Sequence, residues 1–399
     1  MTESLGLGVV GAGRFASFLT GSVADLPGVH LVAVADTDPQ RAADFSTAHA
    51  VREIGRWADL LTDPDVEVVV ITTPPGSHAE IACAALAAGR HVFCEKPLAM
   101  DAGSAAEVRD AAAASGRVLV VDHVLRYNPL LRALSRLQGP LLGRLQRFSF
   151  ENDASDEDLD AGHWFWRDDV SGGIFVEHGV HFFDAAHLLS GTFPDAVQAM
   201  SATRDDGTVD AVSATTRHPG GMLAGFAHGF SHAHRCERQL MRLDYGALEV
   251  RVEGWIPVHA VIEGWTDGPG ADVAADLPRR CAELFAVDGF GDHPEGAITV
   301  QVRRDAGTPS AVGRGRQLSV PHHVRVVLTL GGPAAKERVY AQSVRAAMAD
   351  LVRCVRTGQR SPHSGAQQGW AAVAVADAAR RAASDGCTVH LDISTEVQP

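Results

Sequence analysis

Four side chains in two short stretches could together move a proton and hold a developing oxyanion. Glu177, His181 and Asp184 are separated by four and then three residues, a spacing that puts all three on one face of a helix. A carboxylate one turn from an imidazole can fix its tautomer and raise its basicity, as a general base near neutral pH requires. Ile174, Phe175, Phe182 and Phe183 make the surrounding sequence strongly apolar, which counts against a merely solvated polar face. Lys96, within Glu95-Lys96-Pro97, follows a short apolar run, and the proline after it restricts its backbone. A lysine fixed there could bind a substrate hydroxyl and stabilise negative charge on its oxygen. A surface lysine paired with Glu95 fits the same context equally well.

A third stretch is built to hold a dinucleotide. In Gly11-Ala12-Gly13-Arg14-Phe15-Ala16, Gly11 permits a tight turn, Gly13 lets backbone approach a pyrophosphate, and Ala16 allows close helix–strand packing. Phosphate then sits at a helix N-terminus, where unpaired N–H groups and the dipole favour it. The turn follows the apolar run Leu5–Val10, and Asp36 comes twenty residues after Ala16 at the end of a second such run. An acid there is placed to accept from a ribose 2′-hydroxyl, which favours NAD(H). Asp36-Thr37-Asp38-Pro39 also reads as a turn or cap, and Arg14 and Arg41 leave room for the 2′-phosphate of NADP(H).

The elements that must position these groups follow a regular order. Leu5–Val10, His30–Ala35, Val66–Thr72, His91–Cys94 and Val118–Asp122 read as strands, with helices over Phe15–Leu26, Ser77–Ala88 and Ala102–Ala114. Strands alternating with helices predict a doubly wound parallel sheet, a Rossmann domain over residues 1–122. After Asp122 the pattern changes. Asn128–Leu137 and the stretch from Ile174 to Ser190 look helical. Arg144–Glu151, Val209–Thr216, Met222–His228, Gln239–Asp244, Leu248–Val252 and Val324–Leu330 alternate as strands with one buried face. Residues 123–399 are therefore expected to form an α+β domain with a mostly antiparallel open sheet, closed by helices over Lys336–Arg356 and Ala366–Ala383. The stretch 263–318, rich in Gly, Pro, Asp and Arg, reads as an insertion with loops and a helix near Ala282.

Composition narrows the function classes. The chain has 399 residues, 46% hydrophobic and 21% charged, enough to bury two cores. A formal net charge of −14 argues against a nucleic-acid partner. The acidic run Asp153–Asp160 reads as a solvated loop. Six scattered cysteines have neither zinc spacing nor a disulfide ladder, which points to a reducing, cytoplasmic setting. No apolar run reaches membrane-spanning length. His178, His181 and His187 invite a metal reading, but no second ligand-rich segment accompanies them, and no metal is expected.

Taken in order, these segments resemble the Gfo/Idh/MocA family, named for glucose–fructose oxidoreductase, inositol dehydrogenase and rhizopine catabolism. The marks are the glycine turn, Thr72-Thr73-Pro74 followed by His78, the run from Ala88 to Leu98 ending in Glu95-Lys96-Pro97-Leu98, Arg126-Tyr127-Asn128-Pro129, and Gly172-Gly173 through Asp184. The resemblance implies an N-terminal Rossmann domain, a second domain whose open sheet forms homodimer or homotetramer contacts, and NAD(P)-dependent oxidation or reduction of a hydroxyl or keto carbon of a sugar, cyclitol or related polyol. Carried over, Lys96 and His181 are the catalytic pair, with Glu177 in a place usually held by aspartate. Gly11, Ala12, Gly13, Arg14, Phe15, Asp36, Thr73, Pro74, His78, Glu95 and Lys96 line the cofactor. Arg126, Asn128, Trp166 and Asp184, with Lys96 and His181, are the substrate-binding candidates; Trp164 and Arg167 lie beside them. Trp164 and Trp166 fit either a sugar-stacking role or a hydrophobic seam. Two other readings keep the fold: bound-NAD glycoside cleavage without net redox change, and a non-catalytic ligand sensor.

Overall fold

The computed structural model describes residues 4–285, 298–306, 310–313, 315–331, 335–359 and 362–393. The chain begins with β1 (Leu5–Val10), α1 (Arg14–Val23), β2 (Val29–Ala35), α2 (Pro39–His49), β3 (Arg52–Glu53), β4 (Val68–Ile71), α3 (His78–Ala87), β5 (His91–Cys94), α4 (Ala102–Ser115) and β6 (Leu119–Val121). The strands form one parallel sheet in the order β3-β2-β1-β4-β5-β6. β1, β4 and β6 are buried along their whole length, as strands covered on both faces must be. The order reverses between β1 and β4, and at such a switch point the carboxyl ends of the strands open a ligand crevice. α2 was not expected, although its start is written in the sequence. The Asp38 side chain accepts from the backbone N–H groups of Gln40 and Arg41, and Pro39 occupies the first helical position.

After β6 come α5 (Pro129–Leu137), β7 (Arg147–Ser155), α6 (Asp168–Ser171), α7 (Val180–Ser190), β8 (Ala196–Thr203), β9 (Val209–His218), β10 (Met222–His232), β11 (Arg238–Asp244), β12 (Leu248–Glu253), β13 (His259–Thr266), α8 (Gly268–Phe285), β14 (Ile298–Ala306), β15 (Ser310–Gly313), β16 (Arg316–Ser319), β17 (His322–Leu330), α9 (Ala335–Thr357), α10 (Ala366–Asp385) and β18 (Val389–His390). A ten-stranded sheet runs β14-β17-β13-β12-β11-β7-β10-β9-β8-β18. Its neighbours are antiparallel except β7 and β10, which are parallel. Burial alternates along β9, β10 and β12, so one face holds a core that includes Phe148, Phe150, Phe226, Val250 and Val252. The fold class is thus α/β overall, a Rossmann-type parallel sheet followed by a mostly antiparallel mixed sheet.

Within the stretch 263–318, residue 263 lies inside β13, α8 is a full helix, and β14 pairs with β17 along nine residues. Among the described residues of this stretch, the β15–β16 hairpin alone forms a separate sheet. Gly268, Pro269, Gly270 and Pro278 give α8 the composition of a loop. Residues 286–297, 307–309 and 314, also part of that stretch, lie outside the described residues.

The chain divides into two compact units. The first gathers the residues up to Val124, His163–Asp184 and Ala341–Asp377; the second holds Leu125–Gly162, Ala185–Tyr340 and the residues from Ala378. The chain therefore returns twice to the first unit after residue 122. One return is close-packed. A Cβ added at Gly369 of α10 would lie 2.6 Å from Val121 Cγ2 and 3.1 Å from Leu98 Cδ2, and the Val121 N–H donates to the Ser364 carbonyl at 2.8 Å.

Candidate active site

The glycine turn is held from three sides. The Gly11 N–H donates to the Ala35 carbonyl at 2.8 Å, the Thr72 hydroxyl donates to the Gly11 carbonyl at 2.7 Å, and the Ala12 N–H donates to Asp36 Oδ2 at 2.7 Å. Gly11 has φ +93°, and a Cβ there would stand 2.9 Å from the Thr72 carbonyl group, so glycine is required twice over. Gly13 caps α1 without any side-chain hydrogen bond, and nothing lies within 4 Å of where its Cβ would be. Uncapped amides at a helix N-terminus, with open space in front, fit an incoming pyrophosphate. Asp36 spends one oxygen on Ala12 and the other on the Asp38 N–H at 2.8 Å, and each retains a lone pair for a further donor. Arg41, the basic neighbour that could take a 2′-phosphate, pairs with Asp38 at 3.0 Å, while Arg14 is exposed.

The lysine loop is tied to the segment after β4 by a buried histidine. His78 Nδ1 lies 2.7 Å from the Pro97 carbonyl oxygen and Nε2 lies 2.7 Å from the Thr73 carbonyl oxygen. The ring has no exposed surface; burial pushes its pKa down, and the nearby Lys96 charge adds to this. Thr73 also accepts from the Ser77 hydroxyl at 2.7 Å, next to Pro74. The Lys96–Pro97 peptide is cis. A role for His78 in fixing loops is thus visible, where the family resemblance implied a place along the cofactor.

Lys96 does not pair with Glu95. Its Nζ donates to Glu177 Oε1 at 2.6 Å and to the Glu177 carbonyl oxygen at 3.0 Å, across 81 residues of sequence. Glu177 stands in a π-helical turn, Phe175–Gly179, that precedes α7. Such turns are rare and widen the helix locally, which alters the simple one-face spacing read from the sequence. Two glycines with positive φ lead into it, and a Cβ at Gly172 would meet Val176 Cγ1 at 2.7 Å. His181 and Asp184 follow on α7 and are buried, at 6% and 2% exposure. The His178 ring lies 6.3 Å from that of His181; burial, with help from the Lys96 charge, pushes its pKa down to about 3, so it is neutral. Trp164 and half-buried Trp166 sit on a short 3₁₀ turn in the same unit, and Arg167 pairs with Asp169 at 2.7 Å.

Two other candidates are placed in the second unit. Asn128 caps α5, accepting from the Leu130 and Leu131 N–H groups, and its amide donates to the Pro257 carbonyl at 2.9 Å. Arg126 is largely buried. The acidic run is less solvated than its composition suggests, because Arg238 pairs with Asp153 at 2.7 Å and Arg204 bridges Asp156 and Asp210 at 2.6 and 2.9 Å. Among the described residues, no three His, Cys, Asp or Glu side chains converge as metal ligands, and no helix is long and apolar enough to cross a membrane.

One residue escaped the sequence reading. Asp122, just beyond β6, is 1% exposed and stands beside Glu95 at the end of the neighbouring strand. The usable signal was a charged residue closing an apolar strand at the carboxyl edge of a parallel sheet.

Comparison with known proteins adds to this geometry. Residues 5–123 match the oxidoreductase family with an NAD-binding Rossmann fold, and residues 131–249 match the C-terminal domain of the same family. The chain belongs to the Gfo/Idh/MocA oxidoreductase family. It is 29% identical over 231 residues to trans-1,2-dihydrobenzene-1,2-diol dehydrogenase of Mus musculus, covering 56% of this chain and 68% of that one. It is 30% identical over 175 residues to levoglucosan dehydrogenase of Pseudarthrobacter phenanthrenivorans, covering 43% and 45%. An uncharacterized oxidoreductase of Bacillus subtilis, YrbE, is 26% identical over 205 residues, and the match spans 58% of its length. Levoglucosan dehydrogenase in complex with NADH and levoglucosan superposes with a TM-score of 0.73 at 19% identity, over 97% of this chain and 99% of that one. Myo-inositol 2-dehydrogenase from Lactobacillus plantarum does so with a TM-score of 0.70 at 18% identity, over 98% and 100%. At these identities the structural likeness shows the Gfo/Idh/MocA fold.

Proposed function

We propose that this Gfo/Idh/MocA member is an NAD(H)-linked dehydrogenase or reductase acting on a hydroxyl or keto carbon of a sugar, cyclitol or related polyol. The observation that carries the reading is the 2.6 Å pair between Lys96 and Glu177, in the same compact unit as His181 and the glycine turn. When bound, nicotinamide supplies a carbon that accepts or returns hydride. The chain's own residues handle the oxygen. Lys96 presents its remaining N–H to the substrate oxygen and lowers the cost of negative charge there. His181 takes the hydroxyl proton during oxidation and returns it during reduction. Glu177 holds the ammonium in place. The preference for NAD(H) rests on Asp36, whose carboxylate would repel a 2′-phosphate, and on Arg41 being engaged by Asp38. The substrate class is supported by the sugar and polyol dehydrogenases among its relatives.

We also propose a homodimer or homotetramer. The outer face of the ten-stranded sheet carries exposed Met200 and Leu223, which a second copy would cover. Six free cysteines without a disulfide fit a cytoplasmic setting. The deciding experiment follows reduced-nicotinamide absorbance with NAD⁺ or NADP⁺ and a panel of sugars, inositols and sugar acids. Signal growth with one polyol class and NAD⁺ is expected. Release of a cleaved glycoside product with no added cofactor and no net reduction would replace this reading by redox-neutral cleavage.

A further inference from the structure

Glu95 and Asp122 end two neighbouring parallel strands. Cys94 pairs in register with Val121, and the Asp122 N–H donates to the Cys94 carbonyl at 2.8 Å, so the next residues on each strand stand side by side. Registered neighbours on parallel strands send their side chains to the same face of the sheet, which brings these two carboxyl groups together. No N–H or hydroxyl donor among the described residues reaches either buried oxygen of Asp122. Two carboxylates can share a hydrogen bond only if one of them carries a proton. Lys96, directly after Glu95, is a cation whose charge favours the ionised form of both.

We infer that Glu95 and Asp122 hold one proton between them, and that this singly charged pair behind Lys96 is a positioning device for its ammonium group. The pair gives Lys96 one negative charge on the side of the sheet, while Glu177 supplies another from the helix side. A second full charge on the pair would compete with Glu177 for the lysine's N–H donors. The groups facing the pair are few. The Cys94 thiol is buried beside it and is pushed up by burial and by both carboxyls, so it stays neutral. Lys96 is flanked by Glu177 and by His78 and His178, both of whose pKa values are pushed down. His123 follows Asp122 and is buried. Burial raises the Asp122 carboxyl to about 7 against the opposing pull of Glu95 and Lys96, and burial with the Asp122 charge raises Glu95. Both shifts run in the direction that retains a proton near neutrality.

The positioning role rests on the proposed reading of Lys96, but the shared proton does not, and the test separates them. Infrared difference spectra of the full-length protein, titrated from about pH 5 to about pH 9 to span the range between ordinary carboxyl and amine titrations, should show a protonated-carboxyl band that persists at neutral pH. The band should vanish in Asp122→Asn, where the amide donates to an ionised Glu95. Absence of the band in the wild type, or its survival unchanged in Asp122→Asn, overturns the shared proton. Thermal unfolding gives a second reading. The raised Asp122 pKa costs stability as pH rises from 3.8 towards about 7, so Asp122→Asn should gain in melting temperature relative to wild type over that interval. A constant difference overturns it too. For the positioning role, Asp122→Ala should lower kcat about tenfold more than Asp122→Asn, a gap worth about 1.4 kcal/mol, with KM for the cofactor little changed in both. Equal kcat in the two variants, with the band behaving as expected, removes the positioning role and leaves the shared proton standing.

Discussion

A protonated lysine has three N–H donors, and Lys96 directs two of them at Glu177. One donor is left for a substrate oxygen, which makes the orientation of the ammonium a matter of what Glu177 accepts. Glu177 reaches the lysine from a helix 81 residues further along the chain. Removing the amine by Lys96→Met should cut turnover by roughly 10²–10⁴-fold, the usual worth of a positioned acid–base or oxyanion group. Binding of NAD(H), followed by fluorescence, should stay near wild type. Turnover close to wild type would remove Lys96 from the chemistry. Asp36→Ala should weaken NAD(H) more than NADP(H), because the acid that repels a 2′-phosphate is gone. It should also loosen the glycine turn by freeing the Ala12 N–H. Dissociation constants for both cofactors check this, and an unchanged ratio would defeat the preference assigned to Asp36.

At the scale of elements, legibility followed the clarity of the periodic pattern. β4 and β1 are unbroken apolar runs and could be read at once. β9 and β10 alternate cleanly and were equally plain. β8 was missed because only its first two residues are buried, so Ala199 to Thr203 show no alternation. α8 contains the helix expected near Ala282, but its glycines and prolines hid how far it extends towards Gly268, and an Asp-Pro start that fits a turn as well as a cap hid α2. For the site, Lys96 and Glu177 were nominated from separate motifs and do touch. Their contact could not be foreseen, because a π turn redirects the glutamate. Asp122 carried a signal of its own at the end of an apolar strand, but its neighbour Glu95 lies on the next strand, and adjacency across a sheet is a tertiary fact. Packing at this scale also yields a test. Gly369→Val would push a branched side chain into Val121 and Leu98, the latter two residues after Lys96. Overpacking of this kind costs about 1–3 kcal/mol. A lower melting temperature is expected; an unchanged one would show that α10 yields at that contact.

Over the whole molecule, four buried or half-buried histidines, His78, His91, His178 and His218, share one response to acid. Burial lowers His178 to about 3 and both His91 and His218 to about 4, from an ordinary 6.5. A depressed histidine stabilises the fold in its neutral form. That stability is complete above 6.5 and is lost as pH falls towards 4. The melting temperature should therefore drop over that interval, and His218→Gln should make the drop shallower. An equally steep decline in the variant would show that His218 contributes nothing to it.

The division of the first unit among three distant segments has a consequence for how the protein is made. A ribosome that has released the first 124 residues has delivered the sheet and Lys96 but neither Glu177 nor the helix that seals Val121. The nascent N-terminal unit must wait for residue 377 before its last layer arrives, with some 160 residues of the second unit emerging between Asp184 and Ala341. Contacts of such long range are slow to form. Synthesis from a transcript truncated before α10 should thus give an unfinished, chaperone-bound chain rather than a smaller working enzyme.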